Sequence, residues 1–435
     1  MNRKIISILC ATAGAGIAFA QVGGGSVNLT LQQAEALALK NHPQVMAAQN
    51  EASAIGQEVI QAKAPYYPVV AGDATGSGAS QGARIGAGAL SASRLFNRFG
   101  DGITITQLIT DFGRTRDLLA AARLHASAAQ QNYLATRYDI VLGVDQAYFD
   151  VLRAKATVKV AQETVSARQT VVNQIIALFN NNLKSQVDVS FVDVSLSQAK
   201  LLLIQAQDQV QEAYAQLTRA LGAQQNAVYD LTEEPLPATP PSDPEPLIIQ
   251  AFNQRPELSA LSMSRDAAYK YERAERALSY PTVSLIGLGG YIPWIEQITL
   301  PRVIPSEYGG AAVDVHIPIF NGHLFTAQRE EAHYRALEAD QQLRNEQQSI
   351  ARDVRTAWAG ATNAFQRLAV TRQMVQQADL ARNLAQGRYD LGLASVVELT
   401  QAQLNLTQAQ IEDLTARYDY QSQFAALQYT LGALR

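Results

Sequence analysis

The chain has 435 residues, of which 47% are hydrophobic, and it carries a formal net charge of −4 at pH 7. This apolar fraction excludes a chain that is disordered throughout, and the slightly acidic balance offers no basic surface for nucleic acid. Beyond the N-terminus, no apolar run reaches the roughly 18 residues that indicate a transmembrane helix.

The N-terminal segment 1–20, MNRKIISILCATAGAGIAFA, is typical of a secretory signal peptide. Arg3 and Lys4 precede an apolar run that ends in the A-x-A cleavage pattern of residues 18–20. A short buried helix is the alternative. Cys10 is the one cysteine, and because a leucine rather than a small residue precedes it, we expect no acylation there. Cleavage after Ala20 would leave a chain stabilised by packing rather than by disulfides.

One structural unit occurs twice in the rest of the chain. We predict a first repeat at 21–232 and a second at 247–435, joined by a Pro-rich connector at 233–246. Pro43 and Pro256 interrupt the first helical pattern of each repeat, at an offset of 213 (256 − 43 = 213). Farther on, Gly113 matches Gly322 at an offset of 209 (322 − 113 = 209). Such a small drift over so long a span indicates an internal duplication.

Each repeat is predicted to contain a helical segment, two strands, a very long helix and a shorter helix. The strands show period-2 alternation and are predicted at 66–76, 102–111, 281–290 and 310–320. The long helices are predicted at 113–179 and 322–389, and the shorter ones at 187–222 and 397–432. At 1.5 Å per residue each long helix would extend for about 100 Å. A single compact domain cannot bury such a helix, so it must span or line something.

Aromatic residues flank the predicted strands, as the girdle of a transmembrane barrel requires. A soluble sheet with an aromatic core is the alternative. At the strand ends nearest the helices, or toward the intervening loops, we assign to the girdle Tyr66, Tyr67, Phe112, Tyr280, Tyr291, Trp294 and Phe320.

Four strands per chain cannot close a barrel, and lipid tolerates no open sheet edge. Two chains would give eight strands, which side chains fill, whereas three chains would give twelve and could conduct. The sequence therefore predicts a homotrimer if the protein is a conduit. The helices are rich in Ala and Gln and lack the continuous apolar seam of a solid coiled coil, which favours a hollow tube.

Four segments carry a family resemblance. These are RYDLGLASVVELTQAQLNLTQAQ (388–410), NNNLKSQVDVSFVDVSLSQAK (180–200), QLITDFGRTR (107–116) and IPIFNGHLFTAQ (317–328). In this arrangement the chain resembles the TolC-like outer membrane efflux protein family.

The resemblance implies a mixed fold of α-helices and transmembrane β-strands. A trimeric twelve-stranded barrel in the outer membrane would continue as an α-helical barrel through the periplasm. It implies no cofactor and a passive role as the exit duct of a tripartite efflux or type I secretion system. The partners would be a periplasmic adaptor and an inner membrane pump of the RND or ABC type.

The resemblance also assigns roles to the turns at the periplasmic tip. Asp188 and Glu398 match positions of an acidic gate ring, in which three chains would contribute six carboxylates. Alternatively, both acids only cap the helices that they begin. Gln401 stands where the family can carry a second acid. The positions that match the adaptor-contacting tip, which could also form a plain helix–helix turn, are Asn181, Leu183, Ser185, Gly392, Leu393 and Ser395.

Other motifs do not support an enzyme or a metal site. The five histidines show no metal-ligand spacing, and Asp111-Phe112-Gly113 lacks the other kinase signatures. A secreted coiled-coil scaffold or stalk without a pore remains the competing hypothesis, although a stalk has no reason to carry the alternating strands.

Overall fold

A computed structural model describes residues 27–78, 80, 97–223, 229–295 and 306–433. The predicted signal peptide lies outside these ranges. The first repeat contains β1 (Val27–Leu29), α1 (Leu31–Asn41), α2 (Pro43–Lys63), β2 (Val69–Ser77), β3 (Arg98–Thr110), α3 (Arg114–Asn180) and α4 (Gln186–Ala220). After β4 (Tyr229–Leu231), the second contains α5 (Glu245–Gln254), α6 (Pro256–Arg276), β5 (Thr282–Ile295), β6 (Glu307–His316), α7 (Leu324–Asp390) and α8 (Val396–Thr430).

The long helices of the two repeats are equal in length. Helices α3 and α7 each have 67 residues, and α4 and α8 each have 35. Each long helix is therefore about 100 Å long. The chain then reverses direction into a shorter antiparallel helix, so that α3 packs on α4 and α7 packs on α8. The two hairpins meet mainly where α3 packs on α8. Within the described ranges, no helix combines the length and apolarity that a membrane crossing requires.

The N-caps of the two long helices show that the predicted alignment of the repeats is shifted by one residue at this point. Gly113 (φ 100°) is the N-cap of α3, and His323 (φ 70°) is the N-cap of α7. Each follows another residue with positive φ, Phe112 in the first repeat and Gly322 in the second. Gly113 is thus equivalent to His323 (323 − 113 = 210), and the match to Gly322 is wrong by one residue. The predicted helix 322–389 accordingly begins two residues later than expected.

Strands β2, β3, β5 and β6 form one antiparallel sheet in the order β2-β3-β5-β6. Its outer strands, β2 and β6, each have one edge without a neighbouring strand among the residues described. The β-hairpin β2–β3 of the first repeat and the β-hairpin β5–β6 of the second have the same pairing register. Val69 lies opposite Thr106, and Thr282 lies opposite His316. The offsets are 213 for the first strand (282 − 69 = 213) and 210 for the second (316 − 106 = 210).

The strand bounds differ from the predicted ones at several ends. The predicted strand 66–76 begins only at Val69, because Tyr66 lies in a 3₁₀ turn and Pro68 has no N–H group to donate. The strand predicted at 310–320 spans Glu307–His316 and ends where its neighbour β5 begins, since His316 pairs with the first residue of β5. Strands β3 and β5 extend beyond 102 and 290 because their distal ends, at Arg98 and Ile295, pair with each other.

The shorter helices also end earlier than predicted. Helix α4 ends at Ala220 and α8 at Thr430, each two residues before the predicted 222 and 432. Gly222 (φ 67°) and Gly432 (φ 70°) follow in the left-handed conformation that terminates helices. The glycine that marks each helix end therefore lies outside the helix.

A small parallel sheet joins the end of the first repeat to its beginning. Strand β1 pairs with β4, a pairing that the sequence pattern did not predict. The buried hydroxyl of Tyr148 on α3 donates to the carbonyl oxygens of Leu29 (2.9 Å) and Thr232 (2.7 Å). The chain beyond β4 is held by α7 and α8: Trp358 Nε1 donates to the carbonyl of Pro241 at 2.7 Å. The predicted connector 233–246 has no regular secondary structure until α5 begins at Glu245, one residue before Pro246.

Candidate functional site

The turns α3–α4 and α7–α8 lie side by side at one end of the molecule. An apolar cluster formed by all four helices packs the two hairpins together above the turns. Lys184 of the first turn places its ammonium 5.5 Å from the centroid of the Tyr389 ring at the end of α7. The cluster consists of Val171, Val172, Ile175, Val192, Leu196, Ala385, Val396 and Leu399.

The first turn is closed by main-chain and side-chain hydrogen bonds. Asn182 adopts φ 59° and donates its N–H to the carbonyl of Phe179 at 2.8 Å. The N–H of Leu183 donates to the carbonyl of Leu178 at 2.9 Å, and Asn181 Nδ2 donates to that of Ala177 at 2.7 Å. These contacts satisfy carbonyls that the helix end leaves free.

The second turn repeats this geometry at the equivalent positions. Gly392 adopts φ 72°, and its N–H donates to the carbonyl of Tyr389 at 2.9 Å. The N–H of Leu393 donates to the carbonyl of Arg388 at 2.8 Å. Leu183 and Leu393 occupy the same position of the two turns and are 69% and 67% exposed. The second turn also exposes Leu391, at 75%, so both hairpins present apolar side chains at their tips.

Asp188 caps α4. Its carboxylate accepts hydrogen bonds from the N–H (3.0 Å) and the hydroxyl (2.8 Å) of Ser185, and its own N–H donates to Ser185 Oγ at 3.3 Å. The hydrogen bonds from the main chain and then the side chain of Ser185 lower the pKa of Asp188 below its ordinary value. Asp188 is thus a half-buried, ionised group held in place by a capping box.

Glu398 has a different partner. The hydroxyl of Ser395 accepts the N–H of Glu398 at 3.2 Å, but the carboxylate of Glu398 lies 3.4 Å from Arg388 Nε. Gln401, one turn farther, donates to Asn405 at 2.9 Å. Both predicted gate acids therefore make contacts within their own hairpin, and Arg388 partly offsets the charge of Glu398.

Three residues near these acids were not predicted. Lys184 and Arg388 add positive charge, and Tyr389 has a buried hydroxyl with no hydrogen-bond partner in the described part of the chain. Desolvation, followed by the charges of Asp188 and Asp390, raises the pKa of Tyr389 above its ordinary value. The only sequence signal is their adjacency to the turns, which does not reveal a side-chain contact.

A buried arginine fastens the two hairpins above the tip. Arg168 on α3 is only 5% exposed, and its Nη1 donates to the carbonyl of Thr400 (3.1 Å) and to Gln403 Oε1 (2.8 Å) on α8. The hydroxyls of Thr164 and Thr407 lie 3.1 Å apart in the same interface. Desolvation lowers the pKa of Arg168. An arginine guanidinium stays protonated in proteins, so Arg168 is a charged donor.

The predicted girdle residues lie at both ends of the sheet. Near the helices, the rings of Phe112 and Tyr280 pack edge to face with centroids 6.2 Å apart, and Lys63 lies 5.5 Å from the ring of Tyr67. Tyr291 lies in the distal part of β5, where the side chain of Trp294 falls outside the described residues. The exposed members are Tyr66, Tyr67, Phe112, Tyr280, Tyr291 and Phe320.

The two faces of the sheet differ in polarity. One face carries exposed apolar side chains, together with Asp101, Gln107 and Glu307. The apolar members are Val70, Ile103, Ile105, Leu285, Val313 and Val315. The other face carries Asp73, Thr104, Thr106, Ser284, Asp314 and His316, together with a few apolar residues. This is the alternation of a sheet between lipid and water. Across the described ranges, no cluster of three or more His, Cys, Asp or Glu residues could hold a metal ion.

The chain is similar in sequence to known outer membrane proteins. The sequence model of the outer membrane efflux protein family matches residues 36–223 and again 247–433. Outer membrane protein TolC of Salmonella enteritidis is 22% identical over 420 residues, covering 93% of this chain and 83% of the relative. Protein CyaE of Bordetella pertussis is 26% identical over 385 residues, covering 86% and 78%.

Solved structures share the fold. A membrane protein from Pseudomonas aeruginosa aligns with a TM-score of 0.80 at 21% identity, covering 92% of this chain and 93% of that one. The outer membrane protein VceC from Vibrio cholerae aligns with a TM-score of 0.76 at 21% identity, covering 92% and 96%.

Proposed function

The chain belongs to the outer membrane efflux protein family, and from this premise we propose that it is the passive exit duct of a tripartite efflux or type I secretion system. The family is one of efflux channels, and we assign the protein no catalytic role. The amphipathic four-stranded sheet, continued by two helical hairpins about 100 Å long, carries this proposal. A sheet that faces lipid and helices of this length fit a duct through the outer membrane and periplasm.

The open sheet edges support a homotrimer. Strands β2 and β6 leave one backbone edge each without a partner in the described chain, and a lipid bilayer cannot satisfy those groups. Three chains with four strands each would close a twelve-stranded barrel wide enough to conduct.

Exposed apolar residues on two helices are also consistent with contacts between chains. Exposed apolar residues recur along α4 at heptad-like spacing, as Val187, Val194, Leu201 and Ile204. A second exposed series follows α7, as Val370, Met374, Leu380 and Leu384. Packing of α4 from one chain on α7 of the next would bury both series, which an isolated chain leaves in water.

We assign the contact with a periplasmic adaptor to the two turns. The exposed leucines Leu183 and Leu393, with Asn181 and Gly392 beside them, form paired apolar knobs at the far end of the hairpins. Ser185 and Ser395 fix the turns as N-caps of α4 and α8. An inner membrane pump of the RND or ABC type would reach the duct through this adaptor.

Conductance tests the proposed function. The purified full chain should fractionate with the outer membrane, assemble as a trimer and conduct ions in planar bilayers. The competing scaffold hypothesis predicts a protein that inserts into no bilayer and carries no current. Recovery of the protein only as a monomer in the periplasmic fraction would refute the duct.

A further inference from the structure

A cavity of about 470 Å³ lies between the two helical hairpins, and its wall is formed by α3, α7 and α8. It adjoins the apolar cluster above the turns, with which it shares Val171. The rest of the wall is mostly polar, with glutamines at 174, 403 and 410 and threonines at 164 and 407. The cavity is large enough for a small ligand together with several water molecules.

The positive charge of Arg168 in this wall has no counter-ion among the described residues. Arg168 is buried, and both hydrogen bonds of its Nη1 go to neutral oxygens, the carbonyl of Thr400 and Oε1 of Gln403. Desolvation lowers the pKa of Arg168, and no acid in that part of the chain opposes this effect. A buried charge without an opposite charge destabilises a fold, and a bound anion would remove that destabilisation.

Two other nitrogens of Arg168 can reach a ligand through the cavity. Neither Nε nor Nη2 donates to another described residue, and neither is sealed from solvent. Because Arg168 lines the cavity and is otherwise buried, these nitrogens reach solvent through the cavity. Together they form one edge of the guanidinium, which is the geometry that binds two oxygens of a carboxylate or a phosphate.

A second guanidinium reaches the same cavity from α7. Arg382 lines the wall, and its Nη2 donates to Asp379 at 2.6 Å, which offsets part of its charge. Among the described lining residues, the acid is Glu163, whose exposed side chain is screened by solvent. Two cations, surrounded by amide and hydroxyl groups, therefore make the cavity suitable for an anion.

We propose that this cavity binds a small oxyanion, a carboxylate or a phosphate, between Arg168 of α3 and Arg382 of α7. The site is built within one chain, so it goes beyond the proposed function and does not depend on it. Helices α3 and α7 share little contact with each other in the described chain, although α8 packs on both. A bound anion would therefore add a bridge between the hairpins and stabilise the arrangement in which their turns lie side by side.

Titration of the purified full chain in detergent tests the site, with phosphate and citrate as probes and sodium chloride holding the ionic strength constant. Calorimetry measures the affinity, and thermal unfolding measures the stabilisation that binding to the folded state must produce. We expect saturable binding of at least one probe and a melting temperature that rises with its concentration. Chloride should not reproduce the rise, because it cannot accept two parallel hydrogen bonds as an oxyanion does.

Two variants remove the cations one at a time. Arg168→Gln and Arg382→Gln should each weaken binding about tenfold or more, the effect of losing a hydrogen bond from a charged donor. Arg382 is only half-buried, so Arg382→Gln keeps the test decisive if Arg168→Gln fails to fold. The matched control is Arg372→Gln, at an exposed position of α7, which should bind the probes as the wild type does.

Three results would overturn the site. One is the absence of saturable binding at about 10 mM of both probes, well above a millimolar dissociation constant. Another is an unchanged affinity in Arg382→Gln or in a folded Arg168→Gln. The third is a stabilisation that chloride reproduces at the same ionic strength. Conductance in planar bilayers is measured separately, so a failure of anion binding leaves the proposed duct intact, and an absence of current leaves the anion site intact.

Discussion

Asp145 is a carboxyl group that the fold buries where α1 packs on α3. It is 3% exposed, its Oδ1 has no hydrogen-bond partner within the described chain, and its other neighbour is Glu35 of α1. Desolvation, followed by the charge and the hydrogen bond of Glu35, raises the pKa of Asp145 to about 8. Desolvation also raises the pKa of Glu35, with the charge of Glu234 adding to the effect. The pair therefore retains a proton at neutral pH.

This pair makes stability depend on pH in a defined direction. Because the folded state holds a proton that the unfolded chain releases above about pH 4, the free energy of unfolding should fall as pH rises from about 4 to 8, by at most about 1.4 kcal/mol per unit. Asp145→Asn should flatten this dependence and stabilise the protein at pH 8. Thermal unfolding across this pH range measures it, with the exposed Asp193→Asn as control. An unchanged slope in Asp145→Asn would contradict the assignment.

The proposed gate ring makes a second prediction at this scale. Six carboxylates from Asp188 and Glu398 would favour cations, although Arg388 partly offsets Glu398. Asp188→Asn with Glu398→Gln should move the cation-to-anion permeability ratio toward one and weaken block by polycations. Reversal potentials in a salt gradient measure the ratio, and Asp390→Asn at the end of α7 is the control. If the ratio does not change, both acids act only as helix caps.

Arg168 provides a third prediction. Arg168→Ala removes two hydrogen bonds from a charged donor to α8, each of a kind that contributes about 1.5–3 kcal/mol, while it relieves the desolvation of the guanidinium. We expect a net loss of about 1–3 kcal/mol in the free energy of unfolding. Urea titration measures it, and Arg372→Ala, at an exposed position of α7, should be nearly neutral. Equal stability of the two variants would show that Arg168 does not fasten the hairpins.

At the level of elements, a tyrosine of β6 lies across two glycines of the sheet. Gly102 pairs with Gly290, and Gly290 pairs with Tyr308, whose hydroxyl donates to the carbonyl of Asp101 at 3.4 Å. A Cβ on Gly290 would overlap with that hydroxyl and with the carbonyl oxygen of Asp101. Three strands thus approach closely at this point because two residues have no side chain.

This contact predicts different results for two glycines of the same strand. Gly290→Ala should displace Tyr308 and the β3 backbone, at a cost of about 1–3 kcal/mol. Gly287→Ala should be tolerated, since a Cβ there meets nothing within 4 Å. The melting temperature of the assembled protein measures the difference. Equal melting temperatures would contradict the role assigned to the tyrosine.

The type of an element was predictable where its sequence pattern is long or is bounded by proline or glycine. Continuous runs of helix formers predict α3 and α7 to within two residues at each end, and Pro281 marks where β5 begins. The first strand was placed from 66, although it begins only after Pro68. Strands β1 and β4 escaped prediction because they are too short to show a period, and their pairing joins opposite ends of the first repeat. The start of α7 was misplaced because its N-cap is His323, one residue after Gly322, whereas the N-cap of α3 is a glycine.

Side-chain contacts at the tip were less predictable than its location. The turns at 181–185 and 391–395 follow from the duplication and the family resemblance, and the family is confirmed by the match over both repeats. The contact of Glu398 with Arg388, and the burial of Arg168 between α3 and α8, depend on rotamers and on how two distant helices pack. Neither the side-chain contact nor the helix packing can be predicted from a single sequence.

At the scale of the whole molecule, the two hairpins reach the same level because their helices have equal residue counts. Asn180 and Asp390 end α3 and α7, and both turns close with the same hydrogen bonds. An added heptad in α3 and α4 alone would carry one turn about 10 Å past the other and separate Lys184 from Tyr389. Insertions that preserve the site must therefore occur in both repeats together, so the length of the duct can change only in coordinated steps.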